Sequence, residues 1–335
     1  MKKRKIYTLM VLATLFWSGA FIAGKYTVPF IPTFTLTFLR FFFAAIVLYG
    51  LMRITNHPYR LKKADIPVFI LTGTIGMFGY HVLFFSCLKY TTAINSSIIG
   101  AMNPIITVIL AFFLLGQRLS RKQVFGVALS FIGVFLTITG ADIDIIRQLD
   151  FNKGDLIMLC ATFSWAVYSI ISSKATKPVI PSGINEQHNS DSSLDLSKSA
   201  YTGREWIIDK LFGKRHEGQA ITPLALTYYS FIVCLIELIP FVILEQPQTF
   251  IFDLSPAVWA SVLYMSIFPS VIGYQVQQMS IKEIGPSRTS IFINLVPVFS
   301  IILAVVILDE VLYPIKLLTA ALIITGVVIT QKEKI

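Results

Sequence analysis

Residues 294–310 read NLVPVFSIILAVVILDE, and residues 101–117 read AMNPIITVILAFFLLGQ. Each is an apolar run with a proline near its centre, Pro297 in one and Pro104 in the other. Proline has no N–H to donate and its ring clashes with the preceding turn, so it breaks a helix laid through such a run. The two stretches align at an offset of 193 (297 − 104), which also pairs Ile109, Leu110, Ala111 and Leu115 with Ile302, Leu303, Ala304 and Leu308. The same offset joins Lys89 to Lys282, Ser97 to Ser290, Leu119 to Leu312, and Gly133-Val134 to Gly326-Val327. Near the start of each half the offset is 148 (165 − 17), where Ala13, Thr14 and Trp17 meet Ala161, Thr162 and Trp165. The difference, 45 (193 − 148), measures an insertion in the second half.

Composition says what the repeated unit is made of. Of 335 residues 55% are hydrophobic and 14% charged, and the mean hydropathy is +0.73. No water-soluble chain of this length needs so much apolar surface. Runs of ~18 or more apolar residues span the ~30 Å hydrocarbon core as helices. Ten are present, helices 1 to 10, at about 7–27, 33–52, 66–88, 92–115, 122–140, 155–175, 223–244, 256–278, 287–308 and 313–331. Ten spans in two repeats give five each, and an odd number inverts the second repeat relative to the first. The expected fold is an all-α integral membrane protein, with ten transmembrane helices as two inverted five-helix repeats around a central cavity. Residues 1–141 form the first repeat and 152–335 the second, with a cytoplasmic insertion at about 177–221.

The basic residues set the expected orientation. With the N-terminus in the cytoplasm, most of the 28 Lys and Arg fall on the inner side. The outer side receives Lys25, Lys89, Arg147, Lys153 and Lys316, and Arg40 lies within a span. By the positive-inside rule both termini are cytoplasmic, in a multi-pass protein of the cell membrane. The net charge of +10 is therefore topological and calls for no nucleic acid. The basic N-terminus and its apolar run resemble a signal peptide, but the run is too long and nine more spans follow, so it is read as the first retained helix. Cys87, Cys160 and Cys234 lie within apolar runs and show no metal or redox spacing, which makes them packing residues.

Inverted repeats with interrupted helices at matching positions are the pattern of secondary transporters, whose sites lie near the midplane between the repeats. Each proline should free the carbonyl four residues back, at Gly100 and at Ile293. Such a group is tolerated where protein or a water-lined cavity satisfies it. A plain kink is the other reading of each proline. The stretches LATLFWSGAFIAGK, LRFFFAA, CLKYTTAINSSIIGAMNP, FLLGQRLSRKQVFGVALSFIGV, GDLIMLCATFSWAVYSIISSK and IGPSRTSIFINLVPVFSIILAVVILDEVL together resemble the EamA-type transporters of the drug/metabolite transporter superfamily. The resemblance spans nearly all of the chain except the insertion. It implies ten helices, two inverted repeats, a central cavity and alternating access. One departure stands out: the usual Gly-Glu after the fourth helix is Gly116-Gln117, and after the ninth it is Asp309-Glu310.

Polar side chains are costly in hydrocarbon and usually face the bundle interior. Helical spacing groups Thr14, Ser18 and Lys25 in helix 1, and Thr162, Ser169 and Ser173 in helix 6. It groups Ser96, Gly100, Asn103 and Thr107 in helix 4, Ser287, Ser290 and Asn294 in helix 9, and Ser266, Ser270 and Gln277 with nearby Tyr274 in helix 8. Small hydroxyl residues also serve simply to pack membrane helices. The substrate-cavity candidates are Trp17, Ser18, Ser97, Asn103, Trp165, Tyr274, Gln277, Ser290 and Asn294, with Pro104 and Pro297 as helix breaks.

Arg40 and Glu237 are the charges deepest in apolar runs, and both lie about seven residues from the outer ends of helices 2 and 7. Three outcomes are open: a structural ion pair, a gate between the repeats, or Arg40 snorkelling to the outer interface. His81 is read as a hydrogen-bonded packing residue. Helices 1 and 6 are expected to carry no carboxylate, whereas small cation-exporting relatives of the superfamily keep a glutamate in helix 1. Nor is there a Lys/Arg cluster to match a phosphate. These absences leave a small neutral or zwitterionic metabolite, such as an amino acid, moved outward. No metal or cofactor is called for; the partners are a small-molecule substrate and the lipid bilayer, and a homo-oligomer is left open with nothing in the sequence to indicate one.

The insertion begins rich in Ser, Asn and Asp and then reads REWIIDKLFGKRH, either a short interfacial helix on the inner leaflet or a loose basic linker. A passive channel and an intramembrane enzyme are the rival functions. The enzyme would need a nucleophile, a carboxylate pair or metal ligands. His57, His188 and His216 lie in loops and no HExxH or GxGD-type motif occurs, so the chain is not read as an enzyme.

Overall fold

The apolar runs form helices, five of which begin at a side chain that caps the first turn. The computed structural model describes residues 3–55, 59, 61–115, 119–148, 151–176, 221–284 and 292–332. Helix 1 spans Lys3–Thr27, helix 2 Thr33–Ile54, helix 5 Arg121–Thr139, helix 6 Lys153–Ala175, helix 7 Pro223–Glu245 and helix 10 Pro314–Lys332. Helix 3 covers Lys63–Tyr90 in several pieces. Helix 4 is split into Ala93–Gly100 and Asn103–Leu115, and helix 9 is described over Leu295–Leu308. Helix 8 consists of Pro256–Ile267, Phe268–Gly273 and Tyr274–Ile284. Among the described residues 9 helices are long and apolar enough to cross a bilayer, and Leu295–Leu308 is a shorter tenth. The insertion, with its REWIIDKLFGKRH segment, lies outside the described residues, as do Gln117, Ser287 and Ser290.

The helix starts follow local chemistry. Thr92, Ser120, Asn152, Thr222 and Ser255 each accept a backbone N–H in the first turn of helices 4, 5, 6, 7 and 8, donors that a helix cannot satisfy internally. Pro223 and Pro256 sit in first turns, where the missing N–H costs nothing. Gly140, at φ 62°, closes helix 5 in the left-handed conformation.

Two spans depart from α geometry at corresponding places. Helix 3 widens into a π-helix over Thr72–Gly79 and helix 8 over Phe268–Gly273. Shifted by 193, the first segment overlaps the second.

The packing is close to unchanged when each helix is exchanged for its repeat mate. Helix 1 packs on helices 8 and 9, and helix 6 on helices 3 and 4; helix 2 packs on helix 8, and helix 7 on helix 3. Helices 2 and 7 pack on each other, and so do helices 5 and 10. Mates meet across the dyad between repeats. Phe41 and Phe231, which align at an offset of 190 (231 − 41) together with Thr37 and Thr227, touch with ring centroids 4.4 Å apart. Ser130 donates to the Ile323 carbonyl at 3.2 Å, across a separation of 193 residues.

Where helices 5 and 10 cross, glycine is required. A Cβ on Gly126 would lie 2.5 Å from the Gly326 carbonyl oxygen. Small residues let membrane helices gain dispersion contacts backbone to backbone, since lipid offers no hydrophobic drive to associate. Cys87 and Cys234 are buried and Cys160 is exposed on the outer face of helix 6, all three as free thiols.

Candidate functional site

Between the repeats lies a cavity of about 140 Å³. Helix 1 lines it with Trp17 and Phe21, helix 2 with Arg40, and helix 3 with Tyr80, His81 and Phe84. Helix 4 contributes Ser97, Asn103 and Pro104, and helix 6 contributes Thr162 and Trp165. Tyr274 and Gln277 of helix 8 and Ile293, Val296 and Pro297 of helix 9 complete the wall. A larger groove of about 480 Å³ between helices 9 and 10 is lined only by aliphatic residues such as Ile302 and Val306. In a bilayer it meets acyl chains and has no polar group to orient a solute.

The helix breaks lie just before the prolines. Helix 4 turns at Ala101 and Met102 and resumes at Asn103, so Pro104 occupies the first turn of the second half. Helix 9 turns at Asn294, and Pro297 is the third residue of Leu295–Leu308. A proline at that place cannot donate to Gly100 or Ile293. The ladder stops and a new helix starts. Both breaks reach the cavity wall through Pro104 and Pro297.

The π-segments also present backbone to their neighbours. The Trp17 Nε1–H donates to the Pro269 carbonyl at 3.2 Å, and Ser164 donates to the Ile75 carbonyl at 2.5 Å. Trp17 and Trp165, which are repeat mates, thus stand beside the two π-turns. Trp165 stacks on Tyr274 with centroids 5.9 Å apart and meets Tyr80 at 4.7 Å. Tyr80 and Tyr274 directly follow their π-turns.

The structure brings together Trp17, Ser97, Asn103, Trp165, Tyr274, Gln277, Pro104, Pro297 and Arg40 on one wall. Ser18 is placed elsewhere: its hydroxyl lies 2.7 Å from the Thr14 carbonyl and 3.0 Å from that of Val296, pinning helix 1 to helix 9. Asn294 does not line the cavity, and its buried Nδ2 has no partner. Ser290 lies outside the described residues. Tyr80, Phe84 and Phe21 were not singled out in the sequence, because aromatic residues in an apolar run carry no polar signal.

Arg40 and Glu237 do not pair. Arg40 is 4% exposed, and its Nε–H donates to Ser270 Oγ at 2.9 Å. Its guanidinium carbon lies 5.7 Å and 5.8 Å from the ring centres of Phe41 and Phe85. Glu237 accepts from Thr74 Oγ1 on helix 3, and its second oxygen is buried without a partner. Equal depth did not bring them together because they occupy different faces, Arg40 turned to helix 8 and the cavity, Glu237 to helix 3. Nor does Arg40 snorkel. His81 is a packing residue, with Nδ1 3.1 Å from the Met77 carbonyl and its ring edge-on to Phe41, though it also touches the cavity.

At one end of the bundle a polar network binds the repeats. Helix 6 does hold a carboxylate: Asp155, 1% exposed, accepts from Thr91 Oγ1 at 2.5 Å and from Asn95 Nδ2 at 3.0 Å. Lys25 Nζ donates to the carbonyls of Leu88 and Thr91 at 2.8 Å and 2.7 Å. Glu310, after helix 9, accepts the N–H groups of Ala93 and Ile94 at the start of helix 4. Helix 1 packs on helices 3 and 4 here.

Comparison with known proteins agrees with this architecture. The EamA-like transporter family matches residues 4–139 and 208–331, one stretch in each half. The chain belongs to the EamA-like transporter family. It is 31% identical over 306 residues to the uncharacterized transporter YyaM of Bacillus subtilis (strain 168), covering 91% of this chain and 86% of that one. A probable terminal-alkyne amino-acid exporter of Streptantibioticus cattleyicolor is 24% identical over 338 residues, covering 99% and 95%. A solved crystal structure with 19% identity superposes with a TM-score of 0.59 over 97% of this chain and 95% of that one, which shows a shared fold. This EamA chain is a multi-pass membrane transporter built as two inverted repeats, and membrane embedding and a small-molecule substrate follow from that.

Proposed function

We propose that the chain is a secondary transporter that exports a small metabolite, an amino acid or similar solute, across the cell membrane by alternating access. The observation that carries this reading is the cavity itself. It lies between the repeats and is lined by mates from both, Trp17 with Trp165 and Pro104 with Pro297. Broken helices beside such a site are the means by which inverted-repeat transporters expose one site to either side in turn. Helix 1 is closed onto helices 3 and 4 at the end that the charge distribution assigns to the outside, which favours a cytoplasm-facing cavity. Both termini then lie in the cytoplasm. The likeness to an amino-acid exporter supports the solute class.

The repeats are taken as 1–141 and 152–335, and the 177–221 insertion stands outside the transport path. Deleting Ser182 to Gln219 therefore leaves transport intact. The direct test is comparative metabolite profiling of cells with and without the chain, followed by counterflow of each retained solute in proteoliposomes. The expected result is a small amino-acid-like solute that accumulates without the chain and exchanges with it. If no solute differs and none exchanges, the proposal fails.

A further inference from the structure

The cavity holds one fixed cation and no anion. No Asp or Glu lines it among the described residues, and Arg40 is the one lining side chain with a permanent charge. Arg40 is 4% exposed, so its charge is withdrawn from water. Its hydrogen bond to Ser270 uses Nε–H, one of the five donors of a guanidinium fork. Among the described residues the fork has no carboxylate partner, and Glu237 is engaged with Thr74. Ser270 in turn donates to the Met265 carbonyl at 2.8 Å, within the helix that carries the π-turn, so the Arg40 head is held in place at the wall.

A buried charge without a counter-ion is costly, and a chain with no need of it would carry an apolar residue in helix 2. We infer that Arg40 is the anion receptor of the transport site, and that the solute is a small organic acid with one carboxylate on an apolar body, with or without an amine. This rests on the transporter reading of the same cavity. The planar fork matches a carboxylate two bonds at a time, and the low dielectric strengthens the attraction. One cation matches one negative charge, which disfavours dicarboxylates and phosphates. Trp17, Trp165, Tyr80 and Tyr274 supply aromatic faces for the apolar body. A volume of about 140 Å³ lies below the ~300–1,000 Å³ usual for ligand pockets, so the body is short.

The test measures binding to the purified full chain by quenching of tryptophan fluorescence, since Trp17 and Trp165 line the cavity. The probes are isovalerate beside isovaleramide, and leucine beside leucinamide. In at least one pair the acid binds and its amide binds at least about tenfold more weakly, the worth of one charge-assisted hydrogen bond. Arg40→Gln weakens the acid by about tenfold or more and leaves the amide unchanged, whereas a merely structural arginine would disturb both alike. Arg40→Lys keeps the preference at lower affinity. Should Arg40→Gln fail to insert, the wild-type preference and Arg40→Lys decide. The inference is overturned if acid and amide bind alike in both pairs, if neither acid binds, or if Arg40→Gln loses less than about tenfold in affinity for the acid. Counterflow of the bound acid in proteoliposomes separates the two proposals. Binding without exchange leaves Arg40 as the receptor and overturns the transporter reading. Exchange of solutes that lack an acid group, with no acid bound, does the reverse.

Discussion

Glu310 belongs to the second repeat but caps a helix of the first. Its two oxygens accept from Ala93 N at 2.7 Å and from Ile94 N at 3.0 Å. Hydrogen bonds to a charged group contribute about 1.5–3 kcal/mol each, and the carboxylate also meets the positive end of helix 4, worth about 0.3–1 kcal/mol. Thr92 already satisfies Asn95 N, and water replaces part of what is lost. Glu310→Ala therefore costs the closed arrangement about 2–3 kcal/mol. Because the bonds join the repeats, opening that end breaks them, and the loss appears as a change in population. At 1.4 kcal/mol per factor of ten, the shift is about thirtyfold to a hundredfold toward the open state.

The assay uses Ser97→Cys as a reporter on the cavity wall, in a background of Cys87→Ala, Cys160→Ala and Cys234→Ala. A membrane-impermeant maleimide is added to intact cells. Glu310→Ala should raise the labelling rate by at least about tenfold, and Glu310→Gln, which keeps one carbonyl acceptor but no charge, by less. If the reporter is labelled at an unchanged rate in a stably inserted Glu310→Ala protein, Glu310 is an ordinary cap and has no part in closure.

Three further outcomes follow from the packing. Arg40→Leu and Glu237→Leu touch different partners, so a double-mutant cycle on unfolding should give a coupling below about 0.5 kcal/mol; a coupling of several kcal/mol would mean that they pair after all. Gly126→Val places a side chain against the Gly326 backbone and should destabilise by about 1–3 kcal/mol or more, lowering the melting temperature. Gly50→Ala, with nothing within 4 Å of the new Cβ, serves as the neutral control. Pro104→Ala and Pro297→Ala restore a donor toward Gly100 and Ile293 and should leave folding intact or improve it. Because the repeats are inverted, the two should bias cavity labelling toward opposite sides. Wild-type transport and labelling in both would reduce the prolines to ordinary kinks.

Much of the cavity was legible because its polar members stand out against an apolar background. Asn103 and Gln277 were placed by that contrast, and Trp17 with Trp165 by their matched positions. What stayed hidden was helix rotation. A π-turn adds a residue to one turn, so residues beyond it fall on a face that a 3.6-residue period does not predict. Tyr80 and Tyr274 follow such turns directly, and the first of them was missed. The glycines of TGTIGMFG, residues 72–79, were the available signal, since Gly73 and Gly76 sit where helix 7 and helix 6 leave no room for a Cβ. Ser18, grouped with Thr14 and Lys25 on one stripe, directs its hydroxyl instead to the Val296 carbonyl. Arg40 and Glu237 were matched by depth, a one-dimensional quantity, and the face decided against it.

Mates that are alike and mates that differ divide the work of this chain. The prolines, the tryptophans, the π-turns and the helix 5–helix 10 seam recur in both halves, and on the proposed alternating-access reading these are the parts that would fix how the repeats move against each other. An inverted pair needs them equal, so that two arrangements of one sequence lie close in energy. The polar part of the cavity wall does not recur. The mate of Arg40 is Ser230, at the same offset of 190 that joins Phe41 to Phe231, and Ser230 bonds Thr72. Shifted by 193, His81 meets Tyr274 and Asn103 meets Val296. A site built from equal halves would offer a solute two identical ends. This one sets a cation from helix 2 among aromatic and amide groups that have no matching cation in the other half. On the proposed reading that polarity would orient an asymmetric solute, with Arg40 of one repeat anchored on Ser270 of the other.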